Sequence, residues 1–151
     1  MQDPQVNHVV LDGVTKSYQT RAGLQTVWRN LSVQFPAAHV CAIVGRSGSG
    51  KSTVLNLISG VDSVDHGNIR VEGNLISSFD EDARTRWRRG HVGFIFQAFN
   101  LVPTLTALEN VMLPLRLLRL PFEISHRRAT QALALVELDS KTSRYGDELS
   151  G

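Results

Sequence analysis

The sequence holds a single cysteine, Cys41, among 151 residues, so no internal disulfide can form. Its place in an apolar run assigns the thiol to packing. The five histidines, His8, His39, His66, His91 and His126, are scattered without ligand spacing, and no zinc site is expected. No apolar run is long enough to cross a bilayer. The most apolar segment, residues 111–122, is interrupted by Pro114, Arg116 and Arg119 and is too short. The opening Met1-Gln2-Asp3-Pro4 lacks the basic start and apolar stretch of a secretion signal, which makes a cytosolic location the default expectation. The sequence also lacks internal repeats, low-complexity tracts and any linker long enough to divide domains.

What is there is ordinary for a soluble globular chain. Hydrophobic residues make up 42% and the mean hydropathy is −0.10. The length suits one hydrophobic core. A net charge of +2 and a pI near 9.0 hint only weakly at acidic partners. Arg84, Arg86, Arg88 and Arg89 cluster around Trp87, a pattern that can bind nucleic acid. Asp80, Glu81 and Asp82 open the same segment, however, so acids sit at a helix start and bases at its end. A solvated helix face is the simpler reading, and no nucleic-acid partner is expected.

One motif carries chemistry. Gly45, Arg46, Ser47, Gly48, Ser49, Gly50, Lys51, Ser52 and Thr53 fit GxxxxGK[ST], a phosphate-binding loop. Residues 40–44 lead in as an expected buried strand, and residues 52–58 lead out as a helix. Glycines let the backbone curl with its N–H groups facing a polyphosphate, and the helix N-terminus adds partial positive charge. Lys51 is expected to reach the terminal phosphates, and the Ser52 hydroxyl to ligate magnesium.

Around the loop the chain reads as β followed by α. Residues 9–11 and 14–18 flank a turn at Asp12-Gly13, and the β pattern resumes over 27–35. Gly60 is expected to end the first helix. A strand over 68–73 precedes a helix over 80–89, with Ser78 and Glu81 in capping-box spacing. Residues 92–96 read as a second buried strand ending at Gln97. Thr106 and Glu109 form another capping box. After Pro121 a further helix places Ile124, Arg128, Ala132, Leu135 and Leu138 on one face.

Four features in order, Tyr18, the phosphate loop, Gln97 and the terminal Leu149-Ser150-Gly151, resemble the ATP-binding cassette ATPases over essentially the whole chain. Val92-Gly93-Phe94-Ile95-Phe96-Gln97 and Thr106-Ala107-Leu108-Glu109-Asn110-Val111 resemble the lipoprotein-release and macrolide-export type. The resemblance implies an α/β fold: a phosphate-loop NTPase core with an N-terminal antiparallel β subdomain and a helical subdomain. One partial nucleotide-binding domain is expected, with the β-rich and loop part over 6–97 and the helical part over 98–151. The implied ligands are ATP and Mg2+. Tyr18 would stack on adenine, although taken alone it reads better as a strand tyrosine with a wet hydroxyl. Gln97 would approach magnesium and the attacking water. Ser150 and Gly151 would begin the signature that contacts nucleotide held by an opposite subunit.

Two departures stand out. Pro36-Ala37-Ala38-His39 replaces the Gly-Glu-rich turn that the family has before the loop strand. The chain also ends inside the signature, before the family's magnesium-binding aspartate strand (Walker B), glutamate base, dimer-contact loop and switch histidine. Residues 133–139 resemble that aspartate strand superficially, but they fit a helix and lie upstream of the signature. Phosphoryl transfer needs held magnesium and an oriented water. The expectation is therefore a fragment truncated before Walker B, able at most to bind ATP.

The function implied is the ATPase subunit of a transporter, coupling hydrolysis to an integral-membrane permease, with export or lipoprotein and macrolide efflux favoured. It would work as a homodimer or heterodimer with a second ATPase domain, peripheral at the inner face of the plasma membrane. The alternatives are a soluble cassette protein of DNA repair or translation, an unrelated loop NTPase, and a non-catalytic truncated product. A GTPase would want an Asn-Lys-x-Asp guanine reader, which the sequence lacks.

Overall fold

The computed structural model describes residues 7–97 and 99–149. Its contacts divide the chain into two units, Met1–Arg88 and Arg89–Gly151.

The first unit is built on a four-stranded antiparallel sheet in the order β2-β1-β3-β4. Its strands are β1 (Asn7–Thr20), β2 (Gly23–Pro36), β3 (His66–Val71) and β4 (Asn74–Leu75). Asp12-Gly13 is not a hairpin turn, as the sequence suggested. It lies within β1, where pairing with β2 skips from Leu11↔Val33 to Val14↔Leu31. The bulge shifts the alternation by one residue, so Val9 and Leu11, then Val14 and Lys16, all face inward and are buried. Gly13 adopts φ 61, the left-handed conformation such a bulge favours.

Helix α1 (Lys51–Ile58) buries Val54 and Leu57. Ser59 caps it and Gly60 follows, as expected. A 3-10 turn at Ile76–Ser78 and helix α2 (Glu81–His91) complete the core with Ile76 and Trp87. The start of α2 is held by Asp80, whose Oδ1 accepts the Ala83 N–H at 2.7 Å. Ser78 is not the cap, because its hydroxyl donates back to the Leu75 carbonyl inside the 3-10 turn. The basic cluster is divided. Arg84 pairs with Glu81, and Arg88 donates to the Gly60 carbonyl and to Thr85 Oγ1, while Arg86 and Arg89 are exposed.

The second unit packs α3 (Ala107–Leu117) on α4 (Phe122–Leu135). The Thr106–Glu109 capping box forms in full. Asn110 then ties down the preceding loop: its Oδ1 accepts the Val102 N–H at 2.8 Å, and its Nδ2 donates to the carbonyls of Val102, Leu105 and Thr106. The buried face of α4 is Ser125, Ala129 and Leu133, one step round from the face read from the sequence. Arg128, Ala132 and Leu135 are exposed. Small residues at i, i+4 win that face because they let α3 approach closely, whereas Arg128 needs water. Residues 133–135 are helical, so the segment 133–139 does not open as a strand.

Both buried strands expected beside the catalytic elements, 40–44 and 92–96, are irregular instead. Neither has a ladder partner among the described residues, and a central strand exists only through its neighbours. Val40, Val44 and Ile95 are consequently 103%, 86% and 102% exposed, and Cys41 is exposed rather than packed. The rings of Phe94 and Phe96 stack 5.5 Å apart.

Candidate nucleotide site

The loop enters α1 through Gly50, which serves as N-cap with φ 87 and no side-chain cap. A Cβ at this position would lie 2.7 Å from both Trp28 Nε1 and Val27 Cγ1, so glycine is required by space as well as by conformation. Within the loop, Ser49 N–H bonds the Arg46 carbonyl at 3.2 Å. The N–H groups of Gly50, Lys51 and Ser52 take no acceptor among the described residues. Three such donors at a helix N-terminus fit an anionic phosphate.

Lys51 folds back over the loop. Its Nζ donates to the carbonyls of Gly45 at 3.0 Å and Arg46 at 2.6 Å. The ammonium is thus tied to the first two carbonyls of the loop. Ser52 is exposed in the first turn of α1, where its hydroxyl is free to serve a magnesium ion. No cluster of three or more His, Cys, Asp or Glu side chains that could hold a metal occurs among the described residues. An exposed Ser52 hydroxyl beside the loop N–H groups fits a magnesium bound chiefly through phosphate oxygens.

Tyr18 lies near the end of β1 in the same unit as the loop. Its hydroxyl donates to Asp62 Oδ2 at 2.7 Å. Asp62 Oδ1 receives Lys16 Nζ at 2.7 Å, and Lys16 also donates to the Ser63 carbonyl. The Lys16 ammonium stands 4.9 Å from the Tyr18 ring centroid. Burial and the bond to Asp62 push the Tyr18 hydroxyl above its ordinary pKa, against an opposing hydrogen bond with Thr53 in the first turn of α1. Burial alone would raise the Asp62 carboxyl, but hydrogen bonds from Lys16, Tyr18 and the Ser63 N–H hold it below the ordinary value. The loop residues, Thr53 and Tyr18 are thus brought together in one unit.

Gln97 belongs to the second unit, where it is exposed in a bend rather than at a strand end. Ser150 and Gly151 lie outside the described residues. Sequence reasoning passed over Lys16, Trp28, Asp62 and Asn110. Lys16 left one trace, a lysine in step with the inward positions of β1. Asp62 and Trp28 act across 44 and 22 positions of sequence and leave none.

Residues 28–151 match the family model described as ABC transporter. The bacitracin export ATP-binding protein BceA of Halalkalibacterium halodurans is 33% identical over 138 residues, covering 91% of this chain and 54% of that protein. The lipoprotein-releasing system ATP-binding protein LolD of Bacteroides fragilis is 36% identical over 141 residues, 93% of this chain and 63% of that protein. The methionine import ATP-binding protein MetN of Rhodopseudomonas palustris is 37% identical over 153 residues, 100% of this chain and 41% of that protein. Among solved structures, the dimeric ATP-binding cassette MJ0796 bound to ADP and Pi superposes with a TM-score of 0.85 at 36% identity, over 94% of this chain and 63% of that one. The chain spans between 41% and 63% of the length of these proteins. The chain belongs to the ABC transporter family and carries part of its ATP-binding domain.

Proposed function

We propose that this chain is the nucleotide-binding portion of a transport ATPase, holding ATP with Mg2+ on its phosphate loop. The observation that carries the reading is the loop itself: unpaired N–H donors at the start of α1, a left-handed Gly50 and the Lys51 ammonium drawn back to the Gly45 and Arg46 carbonyls. Lys51 and the loop N–H groups would bind phosphate, Ser52 and Gln97 would serve magnesium, and Tyr18 would stack on the base. Bound magnesium would neutralise charge on the phosphates during transfer. Ser150 and Gly151 would face nucleotide on a second ATPase domain, in a homodimer or heterodimer.

An integral-membrane permease is the proposed partner, which would hold the protein at the inner face of the plasma membrane. Exposed Phe99, Leu101, Leu117 and Leu118 support a docking surface for a permease helix on the second unit. Export is favoured over import by the sequence likeness around Gln97, but relatives named for export and for import both match. The reading is tested by titrating ATP with Mg2+ into the wild type and Lys51→Ala in a calorimeter. Loss of a charge-assisted contact should weaken binding about tenfold or more. Equal affinities would defeat the assignment.

A further inference from the structure

We infer that Trp28 is a positioning residue for the phosphate loop, whose indole N–H sets the direction of the Gly50–Lys51 peptide. The inference rests on the nucleotide-binding reading above and adds a residue that the loop motif does not contain.

Gly50 O accepts two hydrogen bonds, from Val54 N–H at 3.0 Å and from Trp28 Nε1 at 3.1 Å. The first is the opening bond of α1. The second arrives from β2, a different element. In a trans peptide the C=O and the following N–H point in opposite directions. Every peptide bond among the described residues is trans, so fixing the Gly50 carbonyl also fixes the Lys51 N–H. That N–H is one of the donors with no internal acceptor at the start of the helix.

Gly50 needs such help. It has no side chain to cap the helix, and its left-handed φ of 87 leaves a flexible backbone where the phosphate must meet fixed donors. The half-buried indole fills the space a side chain would otherwise occupy, with Cε2 2.8 Å from the ideal Cβ position. Trp28 lies opposite Lys16 in the β1–β2 ladder, at a pair with a register irregularity on each side. The indole therefore ties the Gly50–Lys51 peptide of the loop to β2.

The test uses the full chain with two ligands, ATP with Mg2+ and inorganic tripolyphosphate, which has phosphates and no base. Wild type is compared with Trp28→Phe and with a variant carrying benzothienylalanine at position 28, which keeps the shape of the indole and lacks the N–H. Loss of one hydrogen bond should raise Kd for both ligands by about two- to tenfold. If Trp28→Phe does not fold, the benzothienylalanine chain decides the matter alone. Unchanged tripolyphosphate affinity beside weakened ATP affinity would make Trp28 a base contact and overturn the inference. Unchanged affinity for both ligands would overturn it too, while leaving the nucleotide reading intact. A wild type that binds neither ligand would defeat the nucleotide reading instead. In Trp87→Phe, where Trp28 is the sole tryptophan, its emission should shift on adding tripolyphosphate, and a constant spectrum would count against the inference.

Discussion

Tyr18 and Asp62, 44 positions apart, meet through a 2.7 Å hydrogen bond from the phenol to Oδ2, and this bond holds the aromatic ring beside α1. A stacking ring is useful only if its plane is set before the base arrives, since ordering it afterwards costs affinity. Tyr18→Ala should weaken ATP binding by about 1–3 kcal/mol, the range for base–aromatic stacking. Tyr18→Phe keeps the ring and should lose less. Tripolyphosphate binding should be unchanged in both, and calorimetry with the two ligands checks the difference.

Asp62 also neutralises a buried ammonium. The Lys16 side chain is only 8% exposed, whereas that of Asp62 is 25% exposed. Asp62→Ala leaves the lysine uncompensated on the inner face of β1. The expected loss is about 2–4 kcal/mol, below the upper range for a fully buried pair because Asp62 reaches solvent. Urea unfolding at neutral pH measures it. Lys16→Met, which removes the cation and keeps the packing, should destabilise less.

The same network predicts a pH dependence with a definite sign. The folded Asp62 carboxyl lies below its ordinary 3.8, so its contribution is fully present above that value and is lost as pH falls through the folded pKa. Tyr18 lies above its ordinary 10.0, so its contribution is present below that value and is lost as pH rises through the folded pKa. The stability gap between wild type and Asp62→Asn should therefore be constant near neutrality and narrow below about pH 4. Glu109, also lowered, by the Thr106 backbone N–H and hydroxyl, retains part of the acid limb in the variant. A gap that widens on acidification would contradict the assignment.

Gly50→Ala should be damaging for two separable reasons. Its φ of 87 strains any L residue by about 1 kcal/mol or more. The new methyl also collides with Val27 and the Trp28 indole. Thermal unfolding should show a lowered midpoint, and tripolyphosphate binding should fall below detection. Gly48→Ala meets no neighbour within 4 Å and should cost only backbone strain.

The loop, α1 and the Thr106 capping box were legible in the sequence because each is written in consecutive residues. Lys51 needs only its neighbours to start a helix, and Thr106 reaches Glu109 three positions on. The face of α4 was misread because Ile124 and Leu135 suggested an apolar stripe, while the small Ser125 and Ala129 decide the packing against α3. Residues 40–44 and 92–96 were misread for another reason. Val, Ile and Phe state a preference for strand, but a ladder is made by partners elsewhere, and none of the described residues supplies them. The Asp62 and Trp28 contacts were illegible because they depend on tertiary closure.

The extra residue at Asp12-Gly13 also bears on how the hairpin of β1 and β2 closes. Zipping from the tight Thr20↔Gly23 end would pass Tyr18 and the irregular pairing on either side of Lys16 before it reaches the Asp12-Gly13 bulge. Beyond it, Val9 and Leu11 face the core only if one residue has been skipped. A hairpin that zips straight through would turn Asp12 inward and Leu11 to water, so the slipped form gains little burial. Gly13 is thus the residue the ladder must skip, and its deletion should let an unbulged ladder carry Leu11 and Val9 to the core face directly.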